Sequence, residues 1–117
     1  MIRGESYRTS ERAPERGDKP GFYVVVSRSF ISQNDDVETV ICAPVYSRVL
    51  GISTEVVIGP DEGLPRTSAI RCDFLALMFK SRLTTLVGSV AEGKQAELDH
   101  ALAVALDLPW RPAGKGR

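Results

Sequence analysis

The sequence predicts an α+β domain in which a curled, mostly antiparallel sheet or small barrel carries one C-terminal helix. Three observations lead there. Short segments rich in β-branched and aromatic residues recur up to Val90, and turn-forming Gly, Pro, Asn and Asp gather between them. After Val90 the apolar spacing lengthens from two residues to about 3.6. Strands in succession followed by one helix are the pattern of an α+β fold.

Tyr7-Arg8-Thr9 is expected to form a short strand after a turn at Gly4, and residues 10–19 (SERAPERGDK) a polar loop broken at Pro14 and Gly17. Residues 21–27 (GFYVVVS) and 37–45 (VETVICAPV) read as neighbouring buried strands on either side of the turn-like Ser32-Gln33-Asn34-Asp35-Asp36. Residues 54–58 (TEVVI) give another strand, and 59–65 (GPDEGLP) a loop by composition. Residues 69–73 (AIRCD) are the next strand, residues 75–79 either extend it or start a further one, and 86–90 (LVGSV) close the sheet. Leu98, Ala101, Leu102, Ala105 and Leu108 then fall on one apolar stripe of a helix over residues 91–106, which Pro109 stops. His100 lies opposite that stripe and is expected to face solvent, while Trp110 is expected to pack at the end of the domain. Residues 111–117 (RPAGKGR) read as a flexible tail after a single domain of residues 1–110.

The 117 residues, 43% apolar and 26% charged, have the balance of a folded globular chain, which excludes disorder over most of the length. Apolar runs such as 22–26 are too short to span a bilayer, and the N-terminal MIRGE lacks the apolar core of a signal peptide. No membrane contact and a cytoplasmic location are the expectation. Cys42 and Cys72 sit in apolar segments and are expected to be small buried hydrophobes rather than disulfide partners. One histidine and no metal-ligand spacing argue against a metal cofactor. Net charge is zero, so attraction for a polyanion would have to come from local clusters. Arg66, Arg71, Lys80 and Arg82 form one, and Arg111, Lys115 and Arg117 another, although such a cluster is more often simply a solvated face.

The stretch 68–75 (SAIRCDFL) places opposite charges inside an apolar run. On a strand, Arg71 and Asp73 share one face while Ile70, Cys72 and Phe74 share the other. Such a pair is either an ion pair at a strand end or part of a site.

Six segments, IRGESY, VVVSRSF, VICAPVYSRVLGISTEVVIG, GLPRTSAIRCDFL, KSRL and VGSVAEGKQAELDHALAVALDL, occur in an order and spacing that resembles the MazF/PemK/Kid family, the toxins of bacterial toxin–antitoxin pairs. The likeness runs from Ile2 to about Leu108. It implies an SH3-like barrel, a homodimer, cleavage of single-stranded RNA without metal or other cofactor, and inhibition by a cognate antitoxin encoded beside the toxin. The products implied are 2′,3′-cyclic phosphate and 5′-hydroxyl ends. In the PemK/Kid branch an arginine and an aspartate of an RCD segment are assigned to cleavage, and here they fall on Arg71 and Asp73. Such chemistry needs a base for the ribose 2′-hydroxyl, donors for the phosphoryl charge and a proton for the departing 5′-oxygen. Asp73 serves as base if burial raises its pKa, and the Arg71 fork fits a phosphate.

Two positions depart from the family pattern. Where many MazF relatives open the second strand with an arginine–proline pair, this chain has Gly21-Phe22, with Lys19-Pro20 just before; Lys19 can substitute only as a point charge. The threonine of those relatives corresponds to Tyr46, whose hydroxyl reaches further out, with Ser47 beside it as an alternative donor; the Tyr46 ring can instead stack on a base or simply pack in the sheet. The resemblance thus implies Arg71, Asp73, Ser47 and Tyr46 as catalytic residues, and Lys19, Arg16, Arg48, Ser27 and Arg28 as RNA contacts. It also implies that an antitoxin segment competes near the loop of residues 10–19. A non-catalytic protein that binds RNA or an antitoxin-like peptide is the alternative. Inhibition of DNA gyrase, as in CcdB relatives of this fold, rests on C-terminal helix residues with no specific match here.

Overall fold

The computed structural model describes residues 1–9 and 21–110. Its elements are β1 (Glu5–Thr9), β2 (Phe22–Val25), α1 (Ser29–Ser32), β3 (Thr39–Tyr46), β4 (Glu55–Ile58), β5 (Ser68–Arg71), β6 (Ala76–Phe79), β7 (Leu83–Ser89) and α2 (Glu92–Leu106). One seven-stranded sheet runs in the order β4-β5-β3-β2-β1-β7, with β6 also paired to β3. All of its pairings are antiparallel. The α+β architecture with a C-terminal helix is the one expected.

The long strand β3 organises the rest. Along one edge it pairs first with β6, Ile41 opposite Leu77, and then with β5, Val45 opposite Ile70. Residues 75–79 are therefore a separate strand and not an extension of β5. Along the other edge β3 pairs with β2, where side chains alternate between two apolar clusters. Val24 joins Ala43, Val45, Ile58, Ile70 and Leu98 on one face; Tyr23 and Val25 join Val40, Cys42 and Leu83 on the other. Cover on both faces is why residues 21–27 read as an unbroken apolar run. Cys42 and Cys72 are buried and free, and burial pushes both thiols up to about 12.

The sheet curls until its two edges nearly meet. After edge strand β4 the chain makes a 3₁₀ turn at Pro60–Glu62, and this loop reaches β7 at the opposite edge. Gly63, at φ +90°, and Gly88 sit at the crossing: a Cβ on Gly63 would strike the Val87 carbonyl, and one on Gly88 the Glu62 carbonyl. Only glycine lets the two backbones approach so closely.

Helix α2 lays Leu98 and Ala101, both buried, on the Val24 cluster, with Leu102 and Ala105 packed beside them. Leu108, expected on the same stripe, is exposed. The helix ends at Leu106, and Asp107 takes a left-handed conformation (φ 55°, ψ 47°) that turns the following residues away. His100 is exposed as expected and lies against the Trp110 ring, with centroids 4.5 Å apart. Arg3 ties the helix to the sheet: its guanidinium is 2.7 Å from Asp99 and its Nε donates to the Val26 carbonyl at 3.0 Å. The turn expected at residues 32–36 is preceded by the single helical turn α1. Lys80, expected in a basic cluster, donates instead to the Ile31 and Asn34 carbonyls at 2.7 and 2.9 Å. No described helix is long and apolar enough to cross a membrane. The loop of residues 10–19 and the tail of residues 111–117 lie outside the described residues.

Candidate active site

Strand β5 carries Ile70 into the core and ends at Arg71, which lies directly opposite Glu55 of β4. The Cys72 amide donates to the Thr54 carbonyl at 2.9 Å, and the buried Cys72 side chain pins the start of a 3₁₀ turn, Cys72–Phe74. That turn corrects the expectation that the strand continues through Asp73 with Phe74 on the face of Ile70 and Cys72. The alternation of faces stops at Arg71, and Phe74 emerges into solvent.

The turn brings Asp73 back beside Arg71. Arg71 Nε donates to Asp73 Oδ1 at 3.0 Å and Nη2 to Oδ2 at 2.7 Å, a two-bond fork matched to a carboxylate. Thr54 Oγ1 donates to the same Oδ1 at 3.2 Å. Accessibility of the two side chains is 13% for Arg71 and 29% for Asp73, so both are within reach of a ligand. The guanidinium stands 4.1 Å over the Phe74 ring, which meets the Tyr46 ring at 6.1 Å and 83°.

The bond to Asp73 raises the Arg71 pKa further above its usual value. The bond from Arg71 in turn holds Asp73 below the usual carboxylate range, although burial acts in the other direction. Raising of the Asp73 pKa by burial, the condition set for its acting as base, is therefore not met in the free protein. With both groups ionised, the resting pair is a fixed cation beside a fixed anion.

Tyr46 ends β3, next to Ala69 of β5, and the exposed Ser47 and Arg48 follow it into the loop that leads to β4. That loop is organised by Glu55. Its carboxylate accepts from the Gly51 amide at 2.7 Å, the Leu50 amide at 3.0 Å and the Ile52 amide at 3.3 Å. Ser47 and Arg48 thus lie toward the start of β5, at the opposite end of the antiparallel β3–β5 ladder from Arg71 and Asp73, whereas Tyr46 is brought to that pair by its ring contact with Phe74. Ser27 and Arg28 do not join them: the Ser27 hydroxyl accepts from the Ile41 amide at 2.8 Å, five positions and about 16 Å along β3 from Tyr46. Lys19 and Arg16 lie outside the described residues.

Thr54, Glu55 and Phe74 belong to the site and were not indicated by sequence. Thr54 and Glu55 reach it through the β4–β5 register, which no local pattern reveals. For Phe74, alternation pointed the other way, to the face it would share with Ile70 and Cys72.

The family profile of the PemK-like, MazF-like toxin of type II toxin-antitoxin systems matches residues 8–106. Among solved structures, an endoribonuclease in complex with its cognate antitoxin from Mycobacterial species is 25% identical, covers 95% of this chain and 99% of its own, and superposes with a TM-score of 0.79. An endoribonuclease from Mycobacterial species is 27% identical over 95% of each chain, with a TM-score of 0.75. The Mycobacterium tuberculosis toxin MazF-mt6, 22% identical over 89% of this chain and 99% of that one, also reaches 0.75, a likeness of fold. Comparison with curated proteins gives no match.

Proposed function

The chain belongs to the PemK-like, MazF-like toxins of type II toxin-antitoxin systems, and from that premise we propose that it is a metal-free, sequence-selective endoribonuclease that cuts single-stranded mRNA. The observation that carries the proposal is the accessible two-bond Arg71–Asp73 pair at the end of β5. In this reading the ribose 2′-oxygen attacks phosphorus, the bond to the 5′-oxygen breaks, and a 2′,3′-cyclic phosphate and a 5′-hydroxyl result.

Arg71 stabilises the phosphoryl charge with its N–H fork; a guanidinium releases its proton too reluctantly to serve as the donor. As it turns toward phosphate it leaves Asp73. The bond that does most to hold the carboxylate pKa down is then lost, while burial, which raises it, and the weaker lowering bonds from backbone and Thr54 remain. Asp73 so becomes a better base in the RNA-bound state than at rest, and takes the 2′-hydroxyl proton. Ser47 or Tyr46 supplies the proton for the departing 5′-oxygen. Arg48, Ser27, Arg28, Lys19 and Arg16 serve as further RNA contacts in this reading.

The protein works as a homodimer silenced by a cognate antitoxin. Ile41 and Leu77, opposite one another on β3 and β6, are exposed together with Phe79 and Phe30, a surface of the kind that a second copy covers.

Purified protein mixed with a long RNA in EDTA is expected to yield discrete fragments. RNA left whole across many sequences contradicts the assignment; RNA bound but not cut identifies a non-catalytic binding protein. The partner exchange also fixes a pH dependence. The acid limb of kcat/KM, which reports the free protein, is expected at lower pH than the acid limb of kcat, which reports the RNA complex. Coincident limbs would mean that Asp73 keeps its arginine throughout.

A further inference from the structure

Phe74 is 49% exposed although it is a large aromatic residue in the same short turn as the buried Cys72. Its place does not come from packing in the core. Cys72, buried and with its amide bonded to the Thr54 carbonyl, fixes one side of the turn, and Leu75 resumes extended backbone (φ −56°, ψ 138°) on the other. The Arg71 guanidinium lies over the ring, 4.1 Å from its centroid, and the Tyr46 ring meets it nearly perpendicular at 6.1 Å. A half-exposed aromatic ring thus adjoins a guanidinium whose fork, bonded at rest to the Asp73 carboxylate, is shaped for an anion.

A nucleotide has the complementary parts, a flat base and a phosphate joined through one sugar. We propose that Phe74, steadied by Arg71 and Tyr46, is a nucleobase-stacking subsite, on which rests the base of a nucleotide whose phosphate Arg71 holds. The proposal rests on the RNA-cleaving reading above and adds to it a residue that orients substrate without taking part in proton transfer. An aromatic face accepts every base, because every base has a π face. The subsite therefore supplies affinity and alignment, and selectivity for sequence arises elsewhere.

The test is binding of a fluorescein-labelled 2′-O-methyl oligonucleotide, which has no 2′-hydroxyl to attack and so separates binding from cleavage. Phe74→Ala is expected to weaken binding roughly 5- to 150-fold, by a similar factor for oligonucleotides of different sequence. Phe74→Leu, apolar but not flat, is expected to weaken it comparably, whereas Phe74→Trp retains affinity. In a Trp110→Phe background, which removes the chain's single native tryptophan, fluorescence of Phe74→Trp is expected to fall on binding as the base stacks. Unchanged affinity in Phe74→Ala, full affinity in Phe74→Leu, or no quenching overturns the subsite while wild-type binding leaves the RNA reading in place. Failure of wild-type protein to bind any oligonucleotide overturns both. If Phe74→Ala instead alters dimerisation or antitoxin affinity with RNA binding intact, the ring belongs to a protein interface and the proposal is wrong.

Discussion

Arg71→Ala is expected to lower the rate of RNA cleavage at saturating RNA by about 10²- to 10³-fold, the usual effect of removing a charge-stabilising donor from a phosphoryl or acyl transfer site. The same variant removes the group that tunes Asp73, since the bond from Arg71 is the largest cause of that carboxylate's lowered pKa. Arg71→Lys is not expected to rescue it. An ammonium is a point charge, and the site offers Asp73 and the phosphate a planar two-pronged partner. Stability should change much less than cleavage, because a partly exposed ion pair contributes little net energy, on the order of 1 kcal/mol. Single-turnover cleavage alongside thermal melting separates the two effects. A lost fold, or undiminished cleavage in a folded variant, would return the pair to the status of a structural salt bridge.

The largest expected effect on stability is from Leu98→Ala. Leu98 is wholly buried and is the main side chain by which α2 enters the Val24, Ile58 and Ile70 cluster. Truncation removes apolar contact and leaves a cavity that a closed sheet cannot easily fill, so the cost should be about 2–5 kcal/mol. Against a typical total of roughly 5–15 kcal/mol, that is a large share. A urea denaturation midpoint lowered at unchanged slope would report it. A shift worth less than about 1 kcal/mol would show that the helix is not held by this residue. The consequence reaches the site, because Cys72, which anchors the turn carrying Asp73 and Phe74, packs in the same cluster.

Much of this architecture is legible from local pattern. The apolar runs of β2 and β3 announce strands covered on both faces, and the 3.6-residue spacing of Leu98, Ala101, Leu102 and Ala105 announces α2. The charge pair at Arg71 and Asp73 also stands out, because an apolar segment has few reasons to contain it. What local pattern does not carry is where a strand stops. Extending alternation three residues past Arg71 puts Phe74 on the face of Ile70 and Cys72, whereas the 3₁₀ turn puts it beside the guanidinium. Contacts made across the sheet are equally hidden. Thr54 meets Asp73, and Glu55 faces Arg71, only through the register of β4 on β5. Distance along β3 likewise separates Ser27 and Arg28 from Tyr46, although all three flank apolar strands in the sequence. Lys80 illustrates the limit of charge counting, since backbone carbonyls near α1 already occupy its ammonium.

The most direct test of the central claim, that Arg71 and Asp73 act together on one phosphodiester, is to map RNA ends by primer extension after exposure to wild-type protein and to Asp73→Asn, both in EDTA. Cuts with 5′-hydroxyl ends at a recurrent sequence from the wild type, and none from the equally folded variant, are the predicted result. Identical cuts from both proteins would contradict it.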